Sequence, residues 1–382
     1  MFATRSTLEA MAEHFESAVC PEEVFGALPG EARAQFAALK ALQRELTRTC
    51  HPDLALPADK ALATQLFQSL CQWEGVARLK IEDGTYGDFL PYRAPEAPYQ
   101  PVELEVRGQK LKLTGLIAEG TFAGVHHAEM EGETAERVTF AKYARDARDN
   151  DLLEREYLVL KGFQHAHPDG AAEEFFQKQR VYVPAPRTSF SLLDETGAKH
   201  RTNVLSVPAG DCYTAEVLRR DKFPDGIEPK HVWWIFRRLL LTLWMAHLKG
   251  YVHGAVTPDH LLIFPQAHGL VLLDWTCAAK IGEEHVPALN PTFEAFYPPE
   301  IARKEVAFPA TDLFMAASTA IYMLGSDPAR RQIPRTVPAA LAQALLDCLH
   351  PNPAQRPQDA EIFHNEFGAL LGHRVYSQMF VP

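Results

Sequence analysis

The chain has 382 residues, 47% of them hydrophobic and 23% charged, which is ordinary for a globular protein and leaves room for two or three cores. Its formal net charge of -11 argues against non-specific nucleic-acid binding, which needs a basic surface to displace counterions. Its longest apolar stretch, residues 232–248, is broken by Arg237, Arg238 and His247, so no membrane span is expected.

Glu9, Glu13 and Glu16 stand where a signal peptide would need an apolar core, and a cytoplasmic protein is expected. Residues 1–90 read as helices, because apolar side chains recur at Phe36, Leu39, Leu42 and Leu46 and again at Leu62, Leu66, Phe67 and Leu70. Residues 82–90, EDGTYGDFL, read as a turn. Residues 91–102 form a proline-rich linker, since proline lacks an amide donor and disfavours helix in its neighbours. Residues 103–208 carry short alternating runs, such as Leu111–Thr114 and Val138–Ala141, expected of strands. One helix-like insert over residues 151–163 interrupts them. Residues 209–382 are mostly helical. The expected class is α+β, with a small helical domain followed by a strand-rich lobe and a helical lobe. Six cysteines without a C-x-x-C pair suit reduced thiols, and the sixteen histidines show no ligand spacing that asks for a structural metal.

Several short patterns follow one another in a telling order. Residues 250–264, GYVHGAVTPDHLLIF, resemble the catalytic loop of protein kinases, H-R-D-L-K-P-E-N-L-L. Residues 116–125, LIAEGTFAGV, resemble the glycine-rich loop G-x-G-x-x-G-x-V, with Gly120 and Val125 in register and Ala118 and Ala123 in place of the other glycines. Taken by itself this segment also reads as an ordinary hairpin. Val138 to Lys142 resembles V-A-I-K, although a lysine ending an apolar strand can simply reach for water. The helix that follows offers Glu156, with Glu154 as the alternative, to pair with Lys142. VLLDWT, residues 271–276, resembles the D-F-G segment; Tyr297-Pro298-Pro299-Glu300 resembles A-P-E; and Arg356 matches the expected buried partner of Glu300.

The kinase resemblance, across about residues 103–370, implies a bilobal fold whose cleft holds ATP through Gly120, Val125, Lys142, Glu156 and Asp274, with Asp274 also a magnesium ligand. Two departures bear on chemistry. The aspartate that would orient the acceptor hydroxyl is Ala255, and the asparagine that would hold a second metal is His260, a nitrogen donor poorly suited to magnesium. No catalytic residue is therefore assigned, and the resemblance is to a pseudokinase. Asp259 remains open as a substitute base in an atypical active Ser/Thr kinase. A scaffold that binds no nucleotide is the further alternative.

His51-Pro52-Asp53 lies between the two apolar-periodic helices. Alone it also reads as a helix stop followed by a capping aspartate. With Pro21–Gly26 as an entry segment, and Arg33, Lys40, Arg44 and Arg48 along the preceding helix, it resembles a J-domain of the DnaJ type. That resemblance implies a DnaK-type chaperone as partner, met by His51, Pro52, Asp53, Arg44 and Arg48. The expected function is a cytosolic adaptor that recruits such a chaperone to a client protein, without efficient phosphoryl transfer.

Overall fold

The computed structural model describes residues 5–92, 100–132, 134–165, 170–194, 196–372 and 377–382; side chains 53 and 170–172 lie outside the description. Helix accounts for 50% and sheet for 19%, an α+β protein. The chain divides into two compact units, Met1–Pro98 and Tyr99–Pro382, within the proline-rich stretch. Residues 93–99 of that expected linker lie outside the described residues. Among the described residues no helix is long and apolar enough to cross a membrane.

The first unit holds α1 (Arg5–Ser17), α2 (Pro21–Phe25), α3 (Ala32–Cys50) and α4 (Lys60–Glu82). Helix α4 packs against each of the other three, burying Leu8, Phe15, Phe25, Leu39, Leu66 and Leu70 in one apolar cluster. The apolar stripes seen in the sequence are thus the faces that meet, which is what stabilises helices of this length. Lys80, 1% exposed, carries a charge into this core. Its Nζ lies 2.7 Å from Glu22 Oε1 and 2.5 Å from Asp88 Oδ1, and donates to the Leu90 carbonyl at 2.7 Å. The Gly87 amide donates to the same Glu22 oxygen at 2.7 Å. Residues 83–90 form the turn that the sequence suggests, held down by Lys80.

The second unit opens with β1 (Val102–Val106), β2 (Gln109–Glu119), β3 (Ala123–Met130) and β4 (Arg137–Ala144). After α5 (Asn150–Gln164) and α6 (Gly170–Gln179) come β5 (Ala185–Leu193) and β6 (Lys199–Pro208). The six strands make one antiparallel sheet in the order β1-β2-β3-β4-β6-β5. The expected single helix at 151–163 is α5; α6 was not foreseen. Its GAAEEFFQKQ carries a weak apolar pattern, and Phe176, fully buried in the larger core, anchors it.

Beyond the sheet, β7 (Tyr213–Thr214) leads into α7 (Ala215–Val217) and the long α8 (Pro229–Leu248). Then β8 (Tyr251–Val252), β9 (Leu261–Phe264), β10 (Gly269–Leu272) and β11 (Ala279–Lys280) form two small sheets, β10-β9-β7 and β11-β8. Helices α9 (Pro299–Ala302), α10 (Pro309–Met323), α11 (Ala339–Cys348) and α12 (Ala360–Leu371) complete the unit. Nearly every residue of α10 is buried, as its apolar composition requires.

Glu300 on α9 and Arg356 meet inside this core in a two-pronged pair, Nη1–Oε1 2.6 Å and Nη2–Oε2 2.9 Å. Arg356 also donates to the His350 and Ala310 carbonyls, and Thr311 donates to Glu300 at 3.2 Å. Arg356→Met strands the Glu300 carboxylate in an apolar interior and should cost about 3–5 kcal/mol. Guanidinium unfolding of the full chain measures the loss. Adding Glu300→Leu should recover most of it, because no buried charge then lacks a partner.

Candidate functional site

Side chains alternate across β4, so Phe140 and Lys142 project from the same face of the sheet. Across the ladder Lys142 lies opposite Val125 on β3 and Asn203 on β6, and Phe140 lies opposite Leu205. These residues, apart from Asn203, line a cleft of about 440 Å³ with Gly120, Glu156, Ala255, Asp259, His260 and Asp274. That size suits a small organic molecule.

At the centre sits the Lys142 ammonium, 5% exposed, 2.9 Å from Glu156 Oε1 and 3.0 Å from Asp274 Oδ2. Burial alone would lower its pKa; the fields of Asp274 and Glu156 outweigh that and hold it above its usual value. Glu156, on α5, is itself braced. Asn203 donates to its other oxygen at 3.0 Å and to the Leu153 carbonyl at 2.7 Å, and the Trp275 amide lies 3.3 Å from Oε1. The sequence left Glu154 open as the partner of Lys142; Glu154 instead reaches Arg201 at 2.9 Å.

The loop after β8 is shaped by Asp312 on α10. Its fully buried carboxylate accepts the amides of His253 at 2.8 Å and Gly254 at 2.9 Å, and lies 2.9 Å from His247 Nε2. Gly254 has φ +76°, and a Cβ there would come within 2.5 Å of the Cys277 carbonyl, so only glycine fits. His253 donates from Nε2 to the Leu273 carbonyl at 2.9 Å, while its Nδ1 accepts the Ala255 amide at 3.2 Å, a neutral ring. Ala255 presents only a methyl group to the cleft wall.

Asp274 adopts the left-handed backbone, φ 57°, ψ 79°. Its Oδ1 accepts the Thr276 hydroxyl at 2.5 Å and amide at 3.2 Å, and its Oδ2 takes Lys142. Burial would raise its pKa, but Lys142 first, then His260 and the Thr276 hydroxyl, drive it far below the usual carboxylate range. His260 Nε2 lies between two acids, 3.5 Å from Asp274 Oδ2 and 3.6 Å from Asp259 Oδ2. Its Nδ1 is tied to the Ala255 carbonyl at 2.8 Å, and Thr257 donates to Asp259 at 2.6 Å. Magnesium asks for free oxygens at about 2.0–2.1 Å in an octahedron. Asp274, the expected ligand, has both oxygens engaged, and its neighbour is an imidazole; this donor set does not fit the ion. Among the described residues no group of three or more His, Cys, Asp or Glu side chains is arranged to hold a metal.

The expected cofactor-binding residues therefore converge, though not all in the expected role. Gly120 uses its amide to reach the Ala123 carbonyl at 2.8 Å, closing a tight turn between β2 and β3. An amide already donated inside a turn is not offered to a phosphate. At nearby Gly124 a Cβ would lie 2.4 Å from the outer edge of the Tyr143 ring, so a larger residue there would displace that ring. Asn203, Phe140 and Thr257 went unassigned in the sequence, since polar or aromatic residues inside strands and turns carry no spacing signal. Register against Lys142 could have found Phe140 and Asn203.

In the first unit, His51 follows α3 and caps it, its amide donating to the Thr47 carbonyl at 2.8 Å. Its ring meets Phe67 of α4 edge-on at 5.2 Å. Pro52 begins a single turn of tight helix, and Arg44 and Arg48 are exposed on α3. The Asp53 side chain lies outside the described residues. Comparison of the chain with models of known families and with curated proteins finds no match.

Burial pushes the His253 pKa from 6.5 down to about 4. Between those values the unfolded chain takes up a proton that the folded chain refuses, so stability falls as pH falls, by up to about 3 kcal/mol. Urea unfolding at a series of pH values should show the advantage of wild type over His253→Asn shrinking as pH drops from about 6.5 to about 4.

Proposed function

We propose that the chain is an adaptor that joins a J-domain-like unit to a pseudokinase unit and works in the cytoplasm. The observation that carries the second half is the buried Lys142, held by Glu156 and Asp274 in a cleft whose loop offers Ala255. Those three charged groups belong, in the kinase resemblance, to ligand binding; the missing one belongs to acceptor activation. A general base contributes roughly 10²–10⁴ in rate, and a methyl group supplies none of it. Asp259 is a weak stand-in, because it already accepts the Thr257 hydroxyl at 2.6 Å. ATP with magnesium is the family's ligand and the first to be tried on the cleft.

The J-like half rests on setting rather than on three letters, for His167-Pro168-Asp169 repeats the tripeptide elsewhere in the chain. At residues 51–53 it sits between α3 and α4, which pack on one another, with Arg44 and Arg48 exposed on the same helix that His51 caps. A basic helix face beside a helix-helix turn suits an acidic surface on a DnaK-type chaperone.

Two assays test the halves separately. Incubation with labelled ATP and a generic protein acceptor should leave phosphate incorporation no higher than in Asp274→Ala; incorporation lost in that variant would make the chain an active kinase. The full chain should raise the steady-state ATPase rate of a DnaK-type chaperone several-fold, and His51→Gln should abolish the rise. Equal stimulation by both proteins would remove the co-chaperone reading.

A further inference from the structure

The lining of the cleft combines acidic groups with apolar side chains. It includes four carboxylates, Glu156, Glu216, Asp259 and Asp274, against one lysine, Lys142; Glu216 is paired with Arg220 at 3.1 Å, which leaves three acids to that lysine. That lysine is already shared between two of the acids at 2.9 and 3.0 Å. A divalent cation could reverse the balance, but the position between Asp259 and Asp274 is taken by the edge of His260, 3.6 and 3.5 Å from their oxygens. Moving that ring would break its Nδ1 contact with the Ala255 carbonyl at 2.8 Å. The Gly120 amide is also spent, on Ala123. The same cleft also has apolar lining, from Ile117, Val125, Phe140, Leu205 and Leu273.

We propose that this cleft binds an uncharged, ring-bearing small molecule of the nucleoside class, without metal, and discriminates against nucleoside triphosphates. The inference rests on reading the cleft as the pseudokinase ligand site and specifies what that site takes. Like charges within a few ångströms cost far more in a partly buried cleft than in water, and a triphosphate brings several. The ring, by contrast, gains apolar contact with Phe140 and Leu205 whatever its tail carries.

Adenosine, ATP in EDTA and ATP with excess Mg²⁺ are the probes, each titrated calorimetrically into the full chain. Adenosine should bind at least about tenfold more tightly than ATP, and Mg²⁺ should not close the gap, since one or more unfavourable charge contacts at this range are worth that factor. Tighter binding of ATP with Mg²⁺ than of adenosine would overturn this inference and leave the ATP-site reading standing. Failure of all three probes would sink both. Asp259→Asn, nearly isosteric, removes one cleft charge and should raise the ATP-to-adenosine affinity ratio several-fold. An unmoved ATP-to-adenosine ratio, in a variant whose far-ultraviolet spectrum and melting match wild type, would refute the electrostatic cause.

Discussion

A single ammonium ion organises the second unit. Lys142 enters the interior from a strand, and removing it from water is costly unless anions meet it there. Glu156 comes from α5 and Asp274 from the turn after β10, so satisfying this one charge ties sheet, helix and the far loop together. The rest follows in order. Asn203 must hold the second oxygen of Glu156, Thr276 must hold that of Asp274, and the left-handed backbone at Asp274 is sustained by those bonds. Trp275, fully buried next door, locks the turn by packing edge-on against Phe163 of α5 at 4.8 Å and His253 at 4.6 Å.

The loop that bears Ala255 owes its shape to other groups. Asp312 draws in two backbone amides, His253 bridges to Leu273, and Thr319 donates to the Val256 carbonyl at 2.9 Å. None of these bonds uses the side chain at position 255. The shape of the loop therefore does not depend on the side chain at position 255. His260 fills with imidazole the space between two acids, giving the cleft an internally satisfied polar floor.

The first unit repeats the same physics with another lysine. Lys80, Glu22 and Asp88 form a buried charge cluster that secures the turn after α4 to α2. That turn stands where a further basic helix would come in the J-type resemblance. The unit holds more acidic than basic residues, but α3 presents Arg33, Lys40, Arg44 and Arg48 on its exposed side. Any electrostatic attraction to an acidic partner therefore comes from the helix that leads directly into His51.

The amino-acid sequence by itself determined the class, the two-part organisation around a proline-rich stretch, and the positions of Lys142, Asp274 and Ala255. Periodicity and local order carry the class and the division, because a strand or a helix imprints its repeat on neighbouring residues, while the three positions come from the resemblance to kinase patterns. It put Glu156 ahead of Glu154 but left both open, since both lie on one helix and only the packing of α5 on the sheet decides which faces inward. Nor could it disclose that the Gly120 amide is consumed within its own turn, or that Thr276 and His260 saturate Asp274. Those facts depend on how turns close and side chains pack, and Asp274 takes Lys142 only because residues more than a hundred positions apart meet in space. Tertiary structure alone sets such distances, and with them the charge that a ligand meets.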